Sequence, residues 1–138
     1  MVMIFNMSTS FEPLMENRFI IEFPSNFYIP PYLIAKFGRP KCLIINNKLI
    51  WDDLEIEILQ PLLLNISTRI LNNLNNLSNY NILIKQHLLS PLGDIVESWN
   101  IYTELISIDF GNLDWSSEDL SIIKIKLKIN AISNRTNK

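Results

Sequence analysis

Between Leu120 and Ile132 the apolar residues fall on every second position, at Ile123, Ile125, Leu127 and Ile129, while Lys124, Lys126 and Lys128 take the positions between. Successive side chains of a β-strand point to opposite faces, so a segment with this period is a strand with one apolar and one cationic face. Such a strand needs a core on one side and water on the other.

Two further strands precede it. Asn81–Leu89 runs into Ser90-Pro91-Leu92-Gly93-Asp94, and Ile95–Tyr102 returns antiparallel. In that turn Pro91 presets φ and Gly93 supplies a position where φ > 0 is cheap. A short strand, Leu105–Phe110, and the segment Gly111–Leu120, which contains Leu113-Asp114-Trp115-Ser116, then lead into the last strand.

In the first half, Arg18–Phe23 reads as a strand stopped by Pro24. Phe27–Ile34 passes Pro30 and Pro31, which cannot donate to a ladder and mark a loop or an edge crossing. Ile34–Phe37 and Lys41–Ile45 are short strands, and Asn46-Asn47 is a turn signal, because Asn tolerates φ > 0. Leu49–Leu59 reads as a single strand with Leu54, Ile56 and Ile58 on one face and Asp53, Glu55 and Glu57 on the other. That acidic face and the lysine face of the last strand either pair across neighbouring strands, each pair contributing roughly 0.2–1 kcal/mol, or are solvated separately.

Pro61 ends this strand and suits the first turn of a helix, whose apolar stripe is Leu63, Ile66, Ile70, Leu74 and Leu77. Asn fills much of the remainder and is a poor helix former, so packing must hold the helix, and it is expected against the outside of the sheet. Residues 1–138 read as one domain, with residues 1–17 as an N-terminal arm and 133–138 as a polar tail.

Apolar residues make up 48% of the chain and charged residues 19%, more adhesive surface than a monomer of this size needs, so part of it is expected to meet other subunits. A net charge of −2 argues against a protein that grips nucleic acid by neutralising phosphates. Cys42 alone excludes an intramolecular disulfide, and His87 alone excludes nearly all zinc-site spacings. The start of the chain lacks a basic region followed by a signal-length apolar run, and no apolar run approaches the roughly 20 residues of a membrane span, which reads as a soluble, non-secreted product.

Little in the chain suggests chemistry. Glycines at 38, 93 and 111 cannot build a phosphate loop. His87 has no nucleophile motif around it and reads as a satisfied or surface histidine, and Cys42, in an apolar run, as a buried inert thiol. Asp109, Asp114, Glu118 and Asp119 could hold Ca²⁺ but lack its loop spacing, and the rival reading is a connector in which Leu113 and Trp115 pack while the acids stay wet. Trp51, Trp99 and Trp115 read as core or subunit interface, with a carbohydrate-stacking platform as the minor rival. No catalytic, cofactor-binding or metal-binding residue is assigned.

The ordered combination of Pro91 and Gly93 in a turn, Trp99 on the next strand, and Leu113, Asp114 and Trp115 before a final alternating strand resembles the C-terminal half of the tail tube proteins of contractile-tailed bacteriophages. The likeness covers residues 81–132, and Ile29-Pro30, Ile34–Phe37 and Arg39-Pro40 match the earlier half loosely. It implies a mainly β fold, an antiparallel β-sandwich or rolled barrel with one flanking α-helix. It further implies a non-enzymatic virion protein whose homo-hexameric rings stack into a tube, alongside tail sheath, tape measure and baseplate proteins, with DNA passing through unspecifically and no membrane contact.

A tube-end ring (a baseplate tube initiator or tail terminator) and the tube of a phage-derived injection machine fit the same resemblance. From another class, a β-sandwich glycan-binding module remains. Asp53, Glu55, Glu57, Lys124, Lys126 and Lys128 are the candidate subunit-interface or lumen faces. Fixed cations in a lumen would hold phosphates, so neighbouring carboxylates are expected to neutralise those lysines in part.

Overall fold

The computed structural model describes residues 13–27, 29–62 and 64–136. Among the described residues eight strands and one α-helix, besides two short 3-10 turns, follow in the order β1 (Phe19–Glu22), β2 (Ile34–Phe37), β3 (Cys42–Ile45), β4 (Lys48–Trp51), β5 (Leu54–Leu59), α1 (Ile66–Asn76), β6 (Asn81–Leu89), β7 (Ile95–Asp109) and β8 (Ile122–Thr136). Six strands form one antiparallel sheet in the order β1-β6-β7-β8-β5-β2, and β3 and β4 form a separate hairpin. The sheet rolls up into a nearly closed barrel.

The alternation of the last strand sets the core. Ile123, Ile125, Leu127 and Ile129 are buried, and β8 places Ile125 opposite Ile56 and Ile123 opposite Ile58 on β5. On its other side β8 pairs with β7, where Ile101 and Thr103 are buried. The Thr103 hydroxyl donates to the Ile82 carbonyl at 2.7 Å, so its burial leaves no polar group unsatisfied. Ile82 and Ile84 of β6, Ile21 of β1, and Ile66 and Ile70 of α1 complete one cluster.

Three strand boundaries differ from the expected ones, each for a physical reason. β7 is one strand of 15 residues and not two. Irregular registers between Tyr102 and Thr103 and between Leu105 and Ser107 interrupt the side-chain period without breaking the ladder, as bulges do. β8 runs on to Thr136, so residues 133–136, expected in a polar tail, pair with Glu97–Asn100. Backbone pairing is indifferent to side-chain polarity, which is what alternation alone reports. The segment Leu49–Leu59 is broken at Asp52 and Asp53: Asp52 N–H donates to the Lys41 carbonyl at 2.8 Å and closes the β3–β4 hairpin, and β5 begins afresh at Leu54.

The hairpin turn follows the expected chemistry, with Asn46 at φ 51° and Asn47 at φ 61°, both left-handed. At the β6–β7 turn, Gly93 adopts φ 90° and donates to the Ser90 carbonyl, while Ser90 N–H donates to the Asp94 carbonyl at 2.8 Å.

α1 starts at Ile66, so Pro61 lies before its first turn, and Leu63 lies outside the described residues. Ile66 and Ile70 join the same cluster as Ile56, Ile58, Ile123 and Ile125, so the apolar stripe of the helix packs into the core. Asn73 is buried on this stripe, and its Nδ2 has no hydrogen-bond partner. An unsatisfied buried donor costs about 1–3 kcal/mol. Asn73→Leu is therefore expected to stabilise the fold by about 1 kcal/mol or more, read as a rise in Tm of a few degrees.

Candidate assembly surfaces

The residues that alternate with the core face outward, and the register brings opposite charges together. Glu55 stands opposite Lys126 and Glu57 opposite Lys124 across β5 and β8. From the other side, β7 sets Asp109 opposite Lys124, Ser107 opposite Lys126 and Glu104 opposite Lys128. Lys85 faces Glu22, and Lys36 faces Glu57. Every lysine of the six-stranded sheet thus has a carboxylate residue as a cross-strand neighbour. Asp53 lies outside the ladder, immediately before β5, and Lys128 finds Glu104 in its place.

The register sets the acidic and lysine faces on neighbouring strands, and among the described residues Glu55 and Glu57 form no ion pair within 4.0 Å with Lys124, Lys126 or Lys128. The charges remain wet: among the described residues of this face, the one lysine–carboxylate approach within 4.0 Å is Lys36 Nζ to Glu57 Oε2. Such exposed pairs contribute about 0–1 kcal/mol each. Their consequence is a face whose positive and negative charges interleave.

The β3–β4 hairpin is the opposite kind of surface. Leu43, Ile44, Ile45, Leu49 and Ile50 are all exposed, Ile44 at 76%. Consecutive residues of a strand point to opposite sides, so both faces of this ribbon are apolar and uncovered. Cys42 is likewise exposed, a correction to the buried thiol expected from its apolar neighbours, because β3 stands away from the main sheet.

A second apolar feature lies in the connection between β7 and β8. Gln60 pins its base: the side-chain amide donates to the Phe110 carbonyl at 3.3 Å and to Ser121 Oγ at 2.7 Å, and its Oε1 accepts from Ser67. Within the loop, Asp114 Oδ1 accepts from both the amide and the hydroxyl of Ser116, at 3.0 and 2.7 Å. This local turn projects Leu113 and Trp115 into solvent, 103% and 107% exposed. The expectation that they pack is overturned within the single chain, since every residue from Gly111 to Ser121 is exposed and offers them no floor.

Trp99 behaves as expected, half-buried against the core, with Nε1–H donating to Glu97 at 2.9 Å and the Arg39 guanidinium 5.3 Å over its ring. Trp51 is also partly buried, so among the three tryptophans Trp115 alone presents a whole ring to water. Pro91 and Leu92 are exposed at the β6–β7 turn.

One constellation was illegible in the sequence because three strands supply it. His87 Nδ1 lies 2.7 Å from Ser98 Oγ, and Nε2 lies 3.3 Å from Glu22 Oε2, on the outer face of β1, β6 and β7. Both ring nitrogens are engaged, which makes His87 the satisfied histidine expected. Among the described residues no group of three or more His, Cys, Asp or Glu side chains is arranged to hold a metal ion, and no helix is long and apolar enough to cross a membrane.

Two outcomes test this geometry. Lys126→Glu sets a carboxylate opposite Glu55 and is expected to destabilise the fold by about 1 kcal/mol; the exchange Glu55→Lys with Lys126→Glu recovers most of that in chemical denaturation, because the other neighbour of position 126 is the uncharged Ser107. The Ser116 hydroxyl, then its amide, hold the Asp114 carboxyl below its ordinary value of 3.8. The turn's contribution is therefore complete above pH 3.8 and is lost as pH falls through the lower folded value. The Ser116 amide resonance should titrate with a midpoint below pH 3.8.

No family model and no curated protein sequence matches the chain. Solved structures do. A chain of the anti-feeding prophage baseplate, six-fold symmetrised, is 17% identical with a TM-score of 0.58, the match covering 90% of this chain and 96% of that one. A chain of the anti-feeding prophage tube-terminating cap is 13% identical with a TM-score of 0.64, covering 91% and 92%. A chain of the sheath-tube complex of PVC, an extracellular contractile injection system, is 11% identical with a TM-score of 0.63, covering 96% and 97%. The rolled, mainly β sheet with its single helix is thus the tail tube-like fold found in components of contractile injection particles, the fold implied by the resemblance of residues 81–132.

Proposed function

We propose that this chain is a structural, non-enzymatic subunit of the tube of a contractile phage tail, six copies closing into a ring and rings stacking along an axis. The observation that carries this reading is the β3–β4 hairpin. A two-stranded ribbon is marginal by itself in water, and this one exposes Leu43, Ile44, Ile45, Leu49 and Ile50 on its two faces. Another copy of the chain supplies the missing cover. Head-to-tail contacts between identical subunits close into rings when their rotation permits and otherwise propagate.

The outer face of β6, β7, β8 and β5 is the one assigned to the channel. Interleaved lysines and carboxylates present no continuous cationic track, so DNA passes without the phosphate neutralisation that would hold it. The sheath, the tape measure protein and the baseplate are the partners such a tube requires. The particle is a virion tail assembled from chains made in the host bacterial cytoplasm.

A second reading has its own support: structures sharing the fold include a tube-terminating cap and a sheath/tube terminator, the latter 12% identical with a TM-score of 0.61. In that reading the chain forms a tube-end ring, or belongs to an injection particle rather than a virion.

Negative-stain electron microscopy of the purified chain separates these. Six-fold rings that lengthen into cylinders with concentration support the tube, and rings that never lengthen support the tube end. Lone particles at every concentration overturn both. Ile44→Asp is expected to abolish assembly while leaving the circular dichroism of the monomer unchanged.

A further inference from the structure

The β3–β4 hairpin and the β7–β8 loop, both apolar and bare, stand at opposite ends of one strand. The hairpin is rooted just before β5, where Asp52 N–H donates to the Lys41 carbonyl. The loop is rooted just after β5, where the Gln60 side chain donates to the Phe110 carbonyl and to Ser121 Oγ. β5 runs from Leu54 to Leu59, which separates the two roots by on the order of 17 Å. The aliphatic residues of the hairpin and every residue from Gly111 to Ser121 are exposed, so neither surface covers the other within one chain.

Their charges are opposite in sign. Residues paired across an antiparallel ribbon share a face, which puts Leu43, Ile45, Lys48 and Ile50 on one side of the hairpin and Cys42, Ile44, Leu49 and Trp51 on the other. Lys48 is the one charged residue between Cys42 and Trp51. Between Phe110 and Ser121 the charged residues are Asp114, Glu118 and Asp119, with no Lys or Arg. Among the described residues Lys48 has no carboxylate, and Glu118 and Asp119 have no cation, within 4.0 Å.

The other covers that a second copy offers fit the lysine-bearing face less well. Its own hairpin would set Lys48 against Lys48. The groove of about 830 Å³ at the seam between β1 and β2 would bring Lys48 to Lys36 and Arg39. The outer face of the sheet carries charges that already stand opposite one another.

We infer that the β3–β4 hairpin of one copy docks, by its Leu43, Ile45, Lys48 and Ile50 face, on the β7–β8 loop of a second copy of this chain, Trp115 lying against the aliphatic side chains and Glu118 and Asp119 meeting Lys48. This deepens the assembly reading above and rests on it. One contact covers two bare surfaces and pairs charges that lack partners in the single chain. Because hairpin and loop stand at opposite ends of β5, the contact is heterologous and repeats from copy to copy. The Asp114–Ser116 turn holds the loop in shape before it docks, which lowers the ordering cost of binding.

Charge reversal isolates the two halves. Lys48→Glu alters the hairpin, and Glu118→Lys with Asp119→Lys alters the loop, all at exposed positions. Each variant is expected to weaken self-association at least about tenfold in analytical ultracentrifugation, because like charges then meet across the contact. An equimolar mixture is expected to associate as the wild type does. There the acidic hairpin of the first variant meets the cationic loop of the second, and the second's unchanged hairpin meets the first's unchanged loop. Trp115→Ala is expected to weaken association about thirtyfold, the loss typical of a central aromatic anchor.

If either reversal leaves association unchanged, or if both weaken it and the mixture does not recover, the hairpin–loop pairing is overturned and the assembly reading stands. A wild type that never associates overturns both.

Discussion

Everything in this molecule depends on the ladder that joins β5, β8 and β7. Its register sets Ile56 beside Ile125 and Ile58 beside Ile123 on one face, and Glu55 beside Lys126 and Glu57 beside Lys124 on the other. A slip of one residue would turn Ile123, Ile125 and Leu127 to water and bury the lysines, so the same pairing that makes the core also places the charges. The apolar face does the energetic work, at roughly 1.5–3 kcal/mol for each fully buried Ile or Leu. The charged face adds little energy and determines what the surface can do.

The sheet is long for so small a chain. β7 and β8, of 15 residues each, tolerate two irregularities without losing their pairing, and the bend these permit lets six strands roll toward closure. Closure stops at β1 and β2, and Ile66 and Ile70 of the helix join the core. The departures from an ideal interior are specific: Asn73 Nδ2 and Gln86 Oε1 are buried without partners. The first sits on a helix that gains nothing visible from it, and the second lies at the seam.

What the fold leaves uncovered is as informative as what it buries. The hairpin of β3 and β4 and the tryptophan of the β7–β8 loop expose apolar groups away from the main core. Monomers avoid such surface, and assemblies use it. The charged face, by contrast, is finished: each lysine has an acid across from it, and nothing about it calls for a partner.

The sequence by itself determined the strands whose environment is the same along their whole length. Period-two alternation names the inward and outward residues of β5 and β8, and the Pro91–Gly93 and Asn46–Asn47 turns are written in residues with restricted or permissive backbones. Its order of strands, turn, tryptophan and Leu113–Ser116 was enough to suggest the fold. Tertiary structure decided what depends on neighbours distant in the chain. It chose the register that put Glu55 and Glu57 against lysines, kept β7 whole through its irregularities, and recruited the polar residues 133–136 into β8. It also sent Cys42 and Trp115 outward when their local composition pointed inward. The reason is common to all of these: periodicity reports which face a side chain prefers, and only the packed chain settles whether anything lies there to meet it.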